Sequence, residues 1–191
     1  MSNTFFASDT HLGHANILVF RHGGDQGERI RPNWTTINEH DEALIENWNR
    51  VVRPQDKVYH LGDCVINRKF LPLLGRLNGN KRLVRGNHDI FPITEYLKYF
   101  GEVYGVRVLE DMILSHIPLN KECITARFQT NVHGHLHSNV IKDPTYLCVS
   151  MEQINFTPIS IEDVRAQIRV NEERGFVVNP YGVQTGVDSC T

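Results

Sequence analysis

The chain has 191 residues, an apolar fraction of 40%, a charged fraction of 22% and a net charge of −2, the profile of one soluble globular domain. It carries no basic field or lysine-arginine run, which argues against a nuclease on long DNA or RNA. No stretch of about 18 apolar residues marks a membrane span, and the opening MSNTFFASDTHLGH lacks the pattern of an export leader.

In chain order, NTFFAS (3–8) predicts a short buried strand that delivers Asp9 at its end. DTHLGHANILVF starts as a loop and turns helical from about His14, and the glycine-rich RHGGDQGERIRPNW (21–34) is a loop. Ile37, Leu44, Ile45, Trp48, Val51 and Val52 recur at helical spacing, so 36–52 is an amphipathic helix, with Asn38 and Asp41 as its start signal and Pro54 beyond its end. KVYHLGD (57–63) is a second strand, RKFLPLLGRL a short helix despite Pro72, and KRLVRGNHD (81–89) a third strand. FPITEYLKYF predicts a helix, EVYGVRVLE a strand, DMILSHIPL and TNVHGHLH strands with polar ends, and YLCVSMEQI (146–154) a late strand. Ser160 caps a last helix, Ile161–Arg174, with Glu162 and Asp163 in its first turn. Residues 1–175 thus read as a single domain and 176–191 as a C-terminal extension, loose or packed as an arm.

Helices interleave with strands, the mark of an α/β layer fold. Five strand ends carry polar clusters: Asp9 with His11, Asp63, Asn87 with His88, His116, and His135 with His137. In α/β sheets such ends converge on one edge, where sites are built. The set offers carboxylate, amide and imidazole donors but no thiolate, which suits manganese, iron or zinc better than a cysteine-bound structural zinc. Seven residues exceed what one tetrahedral ion uses, whereas two ions bridged by a carboxylate would use them all. Such pairs, about 3.5–4 Å apart, clamp the attacking and leaving oxygens of a phosphoryl displacement. Gly86 and Gly134, each just ahead of a polar cluster, are expected to permit tight or left-handed backbone there. The four cysteines form no CxxC pair and read as small packing residues of a reduced, cytoplasmic protein, with Cys64 also beside the candidate site.

Taken together, SDTHLG, LGDCV, RGNHD, SHIP and HGHLH resemble, in that order, the five blocks of the calcineurin-like metallophosphoesterases. The likeness spans residues 4 to 154, and the flanks SDTHLGHANI and FTPISIEDV look most like the small bacterial and phage phosphoesterases of that superfamily. The resemblance implies two packed β-sheets flanked by helices, a four-layer sandwich. It implies that Asp9, His11 and His137 hold one divalent ion, that Asn87, His116 and His135 hold a second, and that Asp63 bridges them. Manganese is the expected metal, with iron, zinc, nickel and cobalt as alternatives. His88 matches the family's histidine near the leaving group, a general acid or transition-state stabiliser. The chain departs from the Ser/Thr protein phosphatases, which carry GDxVDRG and GNHE where Ile66, Asn67 and Asp89 stand here.

The expected activity is hydrolysis of a small phosphodiester, nucleotide-like in kind. The alternatives are a phosphomonoesterase and a scaffold of the same fold that binds protein partners without chemistry; the complete block set argues against the scaffold. His14 and Arg21 are the candidate substrate-binding residues, with Arg29 and Arg31 on the same loop. His133 is a candidate support for a neighbouring ligand. Trp34 and Trp48 read as packing residues.

Overall fold

The computed structural model describes residues 2–22, 24–124 and 127–174, with the side chain of Arg174 left out. The expected extension 176–191, and Cys190 within it, lie outside the described residues. Two mixed sheets form the fold. The first comprises β1 (Thr4–Ala7), β2 (Lys57–His60), β3 (Asn80–Val84), β4 (Glu102–Tyr104) and β9 (Ile159–Ser160), in the order β4-β3-β2-β1-β9. Its first four strands are parallel, and β9 closes the β1 edge in the antiparallel sense. The second comprises β5 (Arg107–Leu109), β6 (Met112–Leu114), β7 (Thr130–His133) and β8 (Tyr146–Cys148), parallel except for the hairpin strand β5.

Phe6, Ala7, Val58 and Leu83 of the first sheet share one core with Met112, Leu114, Val132 and Leu147 of the second. Strands covered on both faces lose the polar-apolar alternation of a half-exposed strand, which is why β1, β2 and β7 read as continuous buried runs. Helix α1 (Ile37–Val51) turns Leu44, Ile45 and Trp48 inward, and the Trp48 indole donates to the Asn78 carbonyl at 3.0 Å. Helix α3 (Ile161–Arg174) packs beside β1 and β9 and buries Val164 and Ile168. Ser160 caps it as expected, its Oγ accepting from the Asp163 amide.

Several elements differ from expectation. The start of α1 is set by Thr36 and Glu39 rather than Asn38 and Asp41. The Thr36 hydroxyl accepts from the Glu39 amide while the Glu39 carboxylate accepts from the Thr36 amide, a reciprocal capping box. EVYGVRVLE is two strands, β4 and β5, in different sheets. Its residues alternate equally well for one strand or two, and only the bend at Gly105 and Val106 separates them. YLCVSMEQI is strand only to Cys148; Met151–Ile154 form a 3-10 turn with all four residues buried, so no periodicity marks the change. Residues Arg68–Arg76 form a 3-10 helix around Pro72, which lacks the amide an α-helix would use there. Helix α2 (Ile93–Tyr96) is a single turn. Cys64 and Cys148 are buried as expected, but Cys123 is exposed on a short 3-10 turn. Both tryptophans pack: Trp34 stands edge-on to Phe156 and His40, and Trp48 is 1% exposed.

His60, at the end of β2, is fully buried between the Thr10 hydroxyl and the Gly62 amide. Burial, with the His116 charge adding to it, lowers its pKa to about 3. A neutral histidine that must gain a proton on unfolding contributes stability above about pH 6.5, its unfolded value, and loses it toward its folded value. The urea midpoint is therefore expected to fall as pH drops from 7 to 5, and His60→Gln to flatten that fall; an equal slope in both proteins would exclude His60 as its source.

Candidate metal centre

Because β1, β2 and β3 are parallel, as are β6 and β7, their C-terminal ends point the same way. The next residues bring Asp9 and His11, Asp63, Asn87 and His88, His116, and His135 and His137 to one edge. The sheets meet at this edge. Met151, after β8, donates its amide to the Ser8 carbonyl after β1 at 3.1 Å, and His135, after β7, donates its amide to Asp9 Oδ2 at 2.9 Å.

Two groups of ligand-type side chains result, Asp9 with His11 and His137, and Asp63 with His116 and His135; in each the donor atoms lie within 4.8 Å of one another. In the first, His11 Nε2 and His137 Nε2 stand 3.8 and 3.9 Å from Asp9 Oδ1. In the second, His116 Nε2 stands 3.3 Å from Asp63 Oδ2 and 2.9 Å from Asn87 Oδ1. Asp63 Oδ2 also lies 3.8 Å from His11 Nε2, so one carboxylate oxygen faces both groups.

The backbone at these residues is unusual. Among the described residues eight non-glycine positions have positive φ, and five of them are Asp9, His11, Asp63, His135 and His137. The left-handed region costs roughly 1–2 kcal/mol for an L-residue, and such outliers collect at functional sites because surrounding contacts hold them. DTH and HLH are therefore not extended segments whose alternate side chains are parallel; each histidine and aspartate is turned by its own left-handed backbone. Gly86 and Gly134, by contrast, are not at positive φ. They are needed because carboxylates press on them: a Cβ on Gly86 would lie 2.2 Å from Asp63 Oδ1, and one on Gly134 2.5 Å from Asp9 Oδ2 and 1.9 Å from Ser8 Oγ.

Asp9 Oδ2 accepts from the Ser150 hydroxyl at 2.8 Å and the His135 amide at 2.9 Å. Asp9 Oδ1 and both ring nitrogens of His11 are buried without a hydrogen-bond partner. Leaving such atoms unpaired costs about 1–3 kcal/mol each, and a cation between them removes the deficit. Charge points the same way. Burial, followed by the positive charges of Arg31 and His137, holds the His11 imidazole well below its ordinary range, in the neutral form that ligates metal. His116 shows the negative field itself: burial alone would lower its pKa, but the Asp63 and Asp9 carboxylates lift it to about 9, favouring positive charge between them. The tautomers suit ligation too. His116 Nδ1 donates to the Leu61 carbonyl at 2.7 Å and His137 Nδ1 lies 3.0 Å from Glu152 Oε1, leaving each Nε2 for the site. The donor set is nitrogen and oxygen only, since the Cys64 thiol turns toward His60 at 3.4 Å. These residues fit a pair of divalent ions.

The sequence profile of calcineurin-like phosphoesterases matches residues 3–174. The chain belongs to that family. An uncharacterised protein of Methanocaldococcus jannaschii is 34% identical over 178 residues, covering 85% of this chain and 89% of its own. The gene 66 protein of Mycobacterium phage L5 is 36% identical over 179 residues, covering 74% of this chain and 80% of its own. Among solved structures, a protein of unknown function from Aquifex aeolicus shares the fold, with TM-score 0.66 and 24% identity over 87% of this chain and 99% of that one. As a calcineurin-like phosphoesterase the protein is a phosphoester hydrolase, and its two-sheet architecture is that of the fold class expected from sequence.

The remaining candidate residues fall in distinct places. His88 is exposed, with its backbone amide donating to Asp63 Oδ1 at 2.8 Å and its ring 5.9 Å from that of His11. His14 stands 5.9 Å, ring to ring, from both His11 and Phe20. Arg21, its Nη1 donating to the Gly27 carbonyl, lines a cleft of about 320 Å³ with Phe20, His22, His135, His137 and Ser138. Arg29 is spent on the Trp34 and Pro32 carbonyls, and Arg31 is fully buried beneath the site instead of lining its mouth. His133 is buried, its Nδ1 2.8 Å from the Gly134 carbonyl. Four buried residues have supporting contacts that no motif reveals: Ser150, Glu152, Arg31 and Asp89. Asp89 occupies the position at which GNHE and GNHD differ, and its carboxylate accepts the amides of Asp63, Cys64 and Gly86 at 2.8–3.0 Å. It locks the backbone under Asp63 and is not directed at the His88 ring. Asn67, where the protein phosphatases have arginine, caps the 3-10 helix by accepting from the Lys69 amide.

Gly134→Ala would force Ser8 Oγ and Asp9 Oδ2 aside. It is expected to cost about 1–3 kcal/mol of stability, as overpacking does, and to reduce the content of divalent metal measured by plasma mass spectrometry. An alanine variant with wild-type stability and metal content would refute the close-approach argument.

Proposed function

We propose that this calcineurin-like phosphoesterase is a dinuclear metal-dependent phosphodiesterase acting on small, nucleotide-like substrates. The observation that carries the reading is the position of Asp63 Oδ2 between His11 Nε2 and His116 Nε2, with unpartnered Asp9 Oδ1 and His11 beside it. Asp9, His11 and His137 would hold one ion, Asn87, His116 and His135 the other, and Asp63 both. Two divalent ions, manganese first among the candidates, would supply an activated water there and offset charge on the phosphoryl oxygens.

The chain's own groups do the rest. His88 is at the exposed mouth of the site, where an imidazole can donate a proton to the departing ester oxygen. His14 and Arg21 flank the opening and would orient the phosphoryl group and its substituent. The cleft of about 320 Å³ beside His135 and His137 gives room for a second ester group, which favours a diester over a monoester. The exposed Phe20 on its wall offers an apolar face to an organic substituent of base size. Free Cys64, Cys123 and Cys148 support a cytoplasmic protein, and no helix among the described residues is long and apolar enough to cross a membrane.

With added manganese, bis-p-nitrophenyl phosphate and cyclic nucleotides are expected to turn over at least tenfold faster than p-nitrophenyl phosphate. The reverse preference would make the protein a phosphomonoesterase, and no turnover with manganese, iron, zinc, nickel or cobalt would favour the scaffold. His88→Ala is expected to lower kcat by about 10²–10⁴-fold, the usual worth of a positioned proton donor, with metal content retained. Equal loss of metal in that variant would remove the proton-donor role.

A further inference from the structure

Beneath the first ligand group lies a buried ion pair that no sequence motif announces. Arg31 comes from the glycine-rich loop and is 0% exposed; Glu152 comes from the 3-10 turn after β8 and is 3% exposed. Arg31 Nε donates to Glu152 Oε1 at 2.7 Å, and the same oxygen lies 3.0 Å from His137 Nδ1. The other guanidinium nitrogens reach the backbone of the first block. Nη2 donates to the Asp9 carbonyl at 2.5 Å and Nη1 to the Thr10 carbonyl at 3.1 Å. Arg31 Nη1 also lies 2.8 Å from His40 Nε2, which must accept, so His40 Nδ1–H donates to Asp41 Oδ1 at 2.9 Å. Asp41 Oδ2 in turn accepts the Gly13 amide at 2.9 Å.

We infer that Glu152 and Arg31 are positioning residues for one metal position only, the one framed by Asp9, His11 and His137. The contacts are one-sided. Arg31 and Glu152 touch Asp9, Thr10 and His137, while the second group is held by other partners: His116 by the Leu61 carbonyl and Asp63 by the His88 amide. Glu152 sets the His137 tautomer and aims Nε2 at Asp9. Arg31 balances the buried carboxylate and fixes the Asp9 and Thr10 carbonyls, in the stretch between the left-handed Asp9 and His11. A buried pair of this kind is a poor source of stability, because desolvation offsets its attraction, but it holds geometry firmly. Its reach to Asp41 on α1 anchors the long loop against the helix.

This inference rests on the dinuclear reading, and manganese alone is the probe that separates the two. Titration of the full chain with Mn(II), with free ion followed by electron paramagnetic resonance, should give two sites in the wild type. Glu152→Gln keeps size and an acceptor oxygen while removing the charge. It is expected to weaken one site by about 10–100-fold, the usual effect of losing a partner behind a metal-bound histidine, and to leave the other unchanged. Arg31→Lys, which keeps the charge but not the fork of donors, is expected to weaken the same site and decides the matter if the glutamine variant does not fold. Two unchanged sites, or two weakened alike, would overturn the inference. A wild type that binds fewer than two ions would overturn the dinuclear reading itself, and the inference with it.

Discussion

The Asp9 carboxylate faces two ways, and much of the structure follows from that. Oδ2 is bound by Ser150 and by the His135 amide, so the end of β1 is tied to the segments after β8 and β7. The Asp9 amide donates to the Gly62 carbonyl and its own carbonyl receives Arg31, which ties the same residue to β2 and to the long loop. Only Oδ1 is left bare, in a buried place where a bare carboxylate oxygen is costly. The sheets are joined through a residue whose other carboxylate oxygen faces the candidate metal site. Folding and the proposed metal binding therefore share one residue.

The second constraint is backbone geometry. Left-handed conformations at Asp9, His11, Asp63, His135 and His137 are unfavourable one by one and persist because their neighbours over-determine them. The Asp89 carboxylate, caught between three amides at the Asp63 and Gly86 turns, is one such device. Gly86 and Gly134 are another, since their missing side chains let two carboxylates approach the backbone. The ligand atoms converge because the turns are held, not because the side chains are free to search.

The two ligand groups are supported by different chemistry. His116 leans on a main-chain carbonyl, a neutral partner. His137 leans on Glu152, a charged one, whose charge Arg31 balances. That asymmetry matters for the proposed metal pair, because the basicity of a ligand imidazole follows the partner behind it. It also explains the company of His40 and Asp41 on a helix face that otherwise buries apolar residues: they hold the far end of the guanidinium.

The order of the five polar blocks, and the convergence of their strand ends, were legible in the sequence, because parallel strands must end on a common edge and donor atoms of one kind recur at each. The α/β class and the amphipathic face of α1 were legible for the same local reason, a period of side chains. The division of EVYGVRVLE between two sheets was not, since alternation is identical on either side of the Gly105 bend. The roles of Arg31 and Glu152 were hidden as well. In sequence one is a loop arginine, ordinarily solvated, and the other an unremarked acid in a buried turn; they stand 121 positions apart. Which residues bring ligand chemistry is a matter of local composition and order, and the sequence by itself determined it. Which residues aim that chemistry depends on contacts between distant segments, and only the packed tertiary structure decided it.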